Sequence, residues 1–319
     1  MFERILVTGH SGFAGHWVIE ELRRRFPTAE IYGAARRPKV GDRENSTSHH
    51  WLQLDLRDCS QIMEVVAAVR PDAVVHLAGV RLAPLEEQLA VNVAACEHLL
   101  TSLNTIVPKA RIVVVGSAAE LGRAADRDVP LDEETLCQPV DVYGVTKLAQ
   151  SALARKQALR GQDIVVIRPF NLLGPGVPIT LLAGRCARLL RDAARGDPNT
   201  LEFGPLDTRR DYIDVRDFAH AVALALEKSP PGMLYHIGTG VSRSGHDLVK
   251  TLIKQTGLDV TYKTTPSTEK SLVPWQTADW RRARQMLGWQ PTMSWDNTIR
   301  DIWEFARPRK AEAELCDPQ

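Results

Sequence analysis

Through the first 170 residues, short β-branched runs alternate with longer amphipathic stretches. "RILVTG" (4–9), "EIYGAAR" (30–36), "WLQLDL" (51–56), "AVVHLAG" (73–79), "RIVVVGS" (111–117) and "DIVVIRPF" (163–170) have the length and residue types of strands. Between them, "GHWVIEELRRRF", "CSQIMEVVAAVR", "LEEQLAVNVAACEHLLTSL" and "DVYGVTKLAQSALARKQALR" repeat apolar residues at three- and four-residue spacing, as helices do. Strand–helix alternation predicts an α/β fold, a doubly wound parallel sheet with helices on both faces. Ligands of such sheets bind beyond the carboxyl ends of the strands, where the strand order reverses.

After Phe170 the rhythm breaks. "NLLGPGVP" is a Gly/Pro loop, "TLLAGRCARLLRDAARG" a helix whose arginines form a solvated face, and "MLYHIGTG" (233–240) a return to buried strand. "SWDNTIRDIWEFARPRK" reads as an amphipathic helix trailing into polar residues. The expected organisation is a dinucleotide-binding domain over 1–170, to which 210–241 returns. A smaller, discontinuous α/β substrate domain is expected from 171–209 and 242–319.

Composition narrows the function. The 319 residues are 44% hydrophobic and 25% charged with a formal net charge of +1, and no long basic run supports nucleic-acid binding. Cys59, Cys96, Cys137, Cys186 and Cys316 are scattered and odd in number, which points to reduced thiols and away from a zinc site. The chain enters a strand within its first residues and holds no apolar run near ~20 residues, so a cytoplasmic protein without a membrane span is expected. His49 and His50 in "SHH" have no spaced carboxylate or cysteine partners, and no metal is expected.

"VTGHSGFAG" (7–15) carries the first chemistry. Gly9 permits a tight turn out of the strand, Gly12 lets a pyrophosphate approach the backbone, and Gly15 allows close helix–strand packing. The helix that follows offers free N–H groups to phosphates. A carboxylate ending the second strand would read the ribose 2′-hydroxyl of NAD, but "GAARRP" presents Arg36 and Arg37, with no carboxylate until Asp42. A guanidinium fork suits a 2′-phosphate, so NADP is favoured over NAD. Asp55 sits either where it accepts from an adenine amino group or as an ordinary strand-end polar residue.

"VYGVTK" (142–147) sets Tyr143 and Lys147 four residues apart, side by side on a helix. A neighbouring ammonium favours the phenolate and readies a tyrosine for proton transfer near neutral pH. Alone, the spacing also fits a surface tyrosine beside a solvated lysine.

With the glycine turn and Tyr-x-x-x-Lys in register, the chain resembles the extended short-chain dehydrogenase/reductase family of nucleotide-sugar epimerases, dehydratases and reductases. "TGHSGFAG", "DLRD", "HLAG", "NVAACEHLL", "VGSAAELG", "YGVTK", "RPFNLLGPG", "RRDYIDVRD" and "LGWQP" carry the resemblance over nearly the whole chain. Through "RPFNLLGPG" and "RRDYIDVRD" it is most similar to the GDP-6-deoxy-mannose reductases. The resemblance implies a Rossmann domain and a catalytic set of Ser117, Tyr143 and Lys147. It places Ser11, Phe13 and Ala14 of the glycine turn, Leu56, Leu77, Ala78, Gly79 and Asn92 at the cofactor, with Pro169 and Phe170 lining the nicotinamide. Asn171, Glu120 and Ser117 are then expected at the substrate, and Arg210 at its phosphates. It also implies a homodimer.

Two departures bear on the reaction. Family dehydratases carry an acid two positions after the catalytic hydroxyl; here Ala118 and Ala119 follow Ser117, and Glu120 is one residue too far along. A dehydratase is therefore not expected. Leu121 stands where a tyrosine is frequent, and the C-terminal arginine–proline–x–glutamate pattern is missing from "TTPSTEKSLVP". The expected activity is NADPH-dependent reduction of a nucleotide-linked 4-keto-6-deoxy sugar. The alternatives are a 4-epimerase with bound NAD and a nucleotide-sensing protein without chemistry.

Overall fold

The first strand, β1 (Arg4–Thr8), sends Ile5 and Val7 into one core and Leu6 into another. That two-sided burial explains why such strands read as continuous apolar runs. The computed structural model describes residues 2–37, 50–123, 129–196, 199–266 and 271–308; Asp42, His49 and Cys316 lie outside them. After β1 come α1 (Phe13–Arg25), β2 (Glu30–Ala35), β3 (His50–Gln53), α2 (Cys59–Val69) and β4 (Ala73–His76). Next, α3 (Leu85–Gln88) runs through a π-helical turn (Leu89–Ala94) into α4 (Ala95–Ile106). Then follow β5 (Arg111–Val115), a 3-10 turn (Ala118–Glu120), α5 (Val142–Leu159) and β6 (Ile164–Pro169). The second half contains β7 (Asn171–Leu173), α6 (Leu182–Ala193), β8 (Thr200–Phe203), β9 (Arg209–Asp214), α7 (Val215–Lys228) and β10 (Leu234–Ile237). It closes with β11 (Ser242–Ser244), α8 (Gly245–Thr256), β12 (Thr261–Thr264), β13 (Trp275–Gln276), α9 (Arg281–Leu287) and α10 (Trp295–Ala306).

Among the described residues, seven strands form one parallel sheet in the order β10-β6-β5-β4-β1-β2-β3. This is the doubly wound sheet expected from the sequence. One face is covered by α1 and α7 through Val18, Leu22, Phe218 and Val222. The other is covered by α2, α4 and α5 through Ile62, Val66, Leu99, Leu103 and Ala154. The chain steps outward from β1 to β3 and then restarts at β4 on the other side of β1. The switch point, and with it the ligand crevice, therefore lies at the carboxyl ends of β1 and β4.

A second, small sheet joins β11, β9, β13 and β7, and β12 pairs with β8. With α6, α8 and α10 these strands enclose a separate core that includes Leu190, Phe203, Leu252, Ile299 and Trp303. β9 belongs to this sheet, so the chain rejoins the large sheet at α7, a few residues beyond position 210. It also returns once more: α9 packs on α7 and β10, and Trp289 lies fully buried in the core beneath the large sheet. The Trp289 Nε1–H donates to the Asp217 carbonyl at 3.0 Å, fixing that return. Among the described residues, no helix is long and apolar enough to cross a membrane, and no group of three His, Cys, Asp or Glu side chains is placed to hold a metal ion.

Candidate active site

A cavity of about 910 Å³ opens at the switch point and continues to the small sheet. Its inner end is the glycine turn. Gly9 has φ +73°, and a Cβ there would meet the Ala78 backbone N at 2.7 Å; a Cβ on Gly15 would fall 2.2 Å from the His10 carbonyl oxygen. The backbone is thus as close to its neighbours as glycine permits. α1 begins at Gly12 with no side chain capping it and no acid in its first turn, which leaves its first N–H groups directed at the cavity. Those are the features a dinucleotide pyrophosphate needs. His10 is buried beneath the turn and does not reach the wall.

Most residues expected from the sequence line this one cavity: Gly9, Ser11, Gly12, Phe13, Ala14 and Gly15 at the turn, then Arg36, Asp55 and Leu56, then Leu77, Ala78 and Gly79. Ser117, Tyr143, Lys147, Pro169, Phe170 and Asn171 complete the far side. Arg36 stands at the end of β2, paired loosely with Glu87 at 3.8 Å. Asp55 is chelated by Arg57, whose Nε donates to Oδ1 at 3.0 Å. That hydrogen bond, foremost, holds its carboxyl below the usual carboxylate range.

Four expected contacts lie elsewhere. Arg37 is exposed and off the wall. Asn92 is fully buried in the π-helical turn: its Oδ1 accepts from the Val80 N–H at 2.8 Å, and its Nδ2 donates to the Val80 carbonyl and to Thr146 Oγ1, each at 2.9 Å. It clamps the loop after β4 instead of lining the cavity. Glu120, expected at the substrate, is sealed from solvent and ion-paired with Arg168 at 2.7 Å. Arg210 turns an Nη1 back to the Arg209 carbonyl at 2.8 Å, and the strand presents Tyr212 to the cavity in its place.

Arg81 lines the cavity too and escaped the sequence reading. It lies two residues beyond "HLAG", a place no motif marks. Its guanidinium stands 5.8 Å from the Tyr143 ring centroid.

The helix carrying Tyr143 is capped by Asp141, whose Oδ1 accepts from the Gly144 N–H at 2.7 Å. Tyr143 and Lys147 fall on one face of its first turns, but their head groups act separately. The Lys147 ammonium donates to the Val115 carbonyl at 2.6 Å and to Gln150 Oε1, and burial pushes its pKa down to about 8. Burial raises the Tyr143 phenol above its ordinary value; a hydrogen bond from Ser117 and the charge of Arg81 oppose that rise. The expected lowering by Lys147 is therefore not what this arrangement shows: the cation acting on the phenol is Arg81. Ser117 Oγ accepts from the Ala119 N–H at 3.2 Å, so its own proton is available to the tyrosine oxygen.

The sequence and the fold have known relatives. The family described as NAD dependent epimerase/dehydratase matches residues 5–238. The chain belongs to that family. The family so identified bears out the resemblance read from the motifs. The chain is 29% identical over 308 residues to dTDP-6-deoxy-L-talose 4-dehydrogenase (NAD(P)(+)) of Kitasatospora kifunensis, covering 94% of each chain. It is 26% identical over 327 residues to GDP-6-deoxy-D-mannose reductase of Pseudomonas aeruginosa, covering 95% of this chain and 98% of that one. Among solved structures, MoeE5 in complex with UDP-glucuronic acid and NAD superposes with a TM-score of 0.81 at 27% identity, over 95% of this chain and 98% of that one. By name the first two are a dehydrogenase and a reductase acting on nucleotide-linked deoxy sugars, and the third binds a nucleotide sugar and NAD in the same fold.

Proposed function

We propose that the protein is a nucleotide-sugar 4-ketoreductase that prefers NADPH. The carrying observation is that Ser117, Tyr143 and Lys147 share the wall of a cavity that begins at an uncapped helix N-terminus, and among the described residues no acid on that wall is free for dehydration. The residues fit a dinucleotide: the glycine turn and α1 for its pyrophosphate, Arg36 for a 2′-phosphate, Lys147 for the nicotinamide ribose. A nicotinamide cofactor held there would supply hydride chemistry at C4 of the sugar. With sugar bound, Ser117 turns its one proton from the tyrosine oxygen to the carbonyl oxygen, stabilising the charge that develops there. Tyr143, kept as a phenol by its burial, gives that oxygen its proton. Glu120, sealed behind Arg168, is unable to take part in loss of water.

Mixing the protein with NADPH and a panel of GDP-, dTDP-, UDP- and CDP-linked 4-keto-6-deoxy sugars tests the proposal. Stoichiometric loss of reduced-nicotinamide absorbance with one member supports it. Sugar inversion without net oxidation assigns a 4-epimerase, and binding without turnover a sensor. Arg36→Asp is expected to weaken NADPH binding by about 1.5–3 kcal/mol while leaving NADH little changed; titrations giving equal changes for both cofactors would sink the 2′-phosphate assignment.

A homodimer is part of the proposal. Leu85 and Leu89 of α3 and the π-helical turn stand exposed near Val142 and Val145 of α5, an apolar face on adjoining helices. An isologous pairing buries one such face against its copy. Light scattering at micromolar concentration is expected to return twice the chain mass; the mass of a single chain would refute it.

A further inference from the structure

Glu120 is a buried acid that the reaction, read as above, leaves without a role. Its Oε1 accepts from the Ser117 N–H at 2.7 Å and from the Ser151 hydroxyl at 3.0 Å. Its Oε2 accepts from Nε and Nη2 of Arg168 at 3.1 and 2.7 Å. Arg168, 3% exposed, also meets His236 Nε2 through Nη1 at 3.0 Å. Burial holds the His236 ring neutral, with a pKa down to about 3, and its Nδ1 meets the Leu131 carbonyl at 2.9 Å. The backbone is shaped around the carboxylate: a Cβ at Gly116 would fall 2.3 Å from Glu120 Oε1 and 3.0 Å from Ser151 Oγ. The residue before Ser117 is thus glycine because Glu120 lies against it.

Ser117 and Tyr143 line the same cavity wall, and Ser151 lies one turn beyond Lys147 on the same face of α5. We propose that Glu120 is a positioning residue for the proton transfer: its carboxylate holds the Ser117 backbone in place on the wall it shares with Tyr143 and stands as a negative charge behind Tyr143 and Lys147, with Arg168 as counter-ion. The inference rests on Tyr143 as the proton donor. Facing the phenol are Arg81 from the loop after β4, Ser117 from the end of β5, Asp141 at its own helix cap, and Glu120. Around Lys147 lie the Val115 carbonyl, Gln150, Cys96 of α4 and His76 of β4. Ser117 and Arg81 favour the phenolate; Glu120 and Asp141 oppose it. Glu120 also favours the charged form of Lys147. Burial is the larger influence on each group, and the Glu120 charge adds to the protonation of both.

Removing that charge lets the phenol ionise at lower pH. A proton donor is lost as pH rises through its pKa, so the alkaline limb of reduction moves downward. The test is a tyrosinate absorbance titration of each protein minus its Tyr143→Phe counterpart, which needs no substrate. For Glu120→Gln, Tyr143 is expected to ionise about one pH unit lower. kcat for NADPH-dependent reduction falls with KM for NADPH unchanged, its alkaline limb moving the same way. Glu120→Asp restores the charge without the reach to Ser117, so ionisation returns to the wild-type value while kcat stays reduced. If Glu120→Gln does not fold, Glu120→Gln/Arg168→Gln removes both buried charges. Glu120 is among the leading charges that raise Tyr143 and Arg168 is not among the leading ones that lower it, so the ionisation still moves down. An unmoved or raised ionisation in either variant overturns the proposal. Because the titration uses no sugar nucleotide, it decides the role of Glu120 even if every 4-keto sugar fails as a substrate.

Discussion

Tyr143→Phe is expected to lower turnover by about 10²–10⁴-fold, the usual contribution of a positioned general acid, with NADPH affinity retained. The substitution removes only the phenol oxygen from the cavity wall, while α5, capped by Asp141, keeps its place. Cofactor binding by fluorescence and single-turnover reduction on the best sugar nucleotide separate the two effects. Near-wild-type turnover would show that the proton comes from elsewhere. For a surface phenol, the substitution would change stability by no more than about 0.5 kcal/mol and leave the rate alone. Tyr143 is raised by burial, so the wild-type donor stays protonated through neutral pH and the reductive rate falls only on the alkaline side.

The second large effect is on stability. Arg168→Met should cost about 3–5 kcal/mol, because it strands a carboxylate that has no exposure and leaves the pair's attraction uncollected. Three other contacts fall with it, to His236, to Cys137 Sγ at 3.5 Å, and the second bond to Glu120. The loss should be smaller in acid, where the stranded carboxylate takes up a proton. Urea unfolding at mildly acidic and mildly alkaline pH measures both. A loss below about 1 kcal/mol at alkaline pH would mean that the pair is no more than a surface-strength bridge.

The large sheet was legible because its inner strands are buried on both faces. "RILVTG", "AVVHLAG" and "DIVVIRPF" leave no polar alternation to confuse with a helix, and the observed β1, β4 and β6 fall within them. The small sheet was not legible. β11 and β13 are three and two residues long, and β9 begins with two arginines, so no window is long enough to carry a period. The motif spacings located the cavity residues, since a turn and a helix face are local properties. They misplaced Glu120, Asn92 and Arg210, whose positions in the motifs say nothing about which way each side chain turns. Glu120 points inward because Arg168, 48 residues later, waits there. Asn92 is drawn to a loop 12 residues earlier. Arg81 went unseen for the converse reason: its role depends on Tyr143, 62 positions away, and no local pattern marks it.

Trp289 has a consequence for how the protein is made. The ribosome releases the chain from the N-terminus, and domains ordinarily fold in that order as they emerge. Here the core beneath the large sheet contains residues from Ile5 to Trp289, and Asp217 receives the Trp289 indole only after more than seventy further residues have been synthesised. The nucleotide-binding half is thus unable to complete its packing during translation until almost the whole small domain has left the ribosome. An incomplete chain, stopped anywhere before Trp289, would carry an unfilled cleft in its principal core and become work for the cell's chaperones.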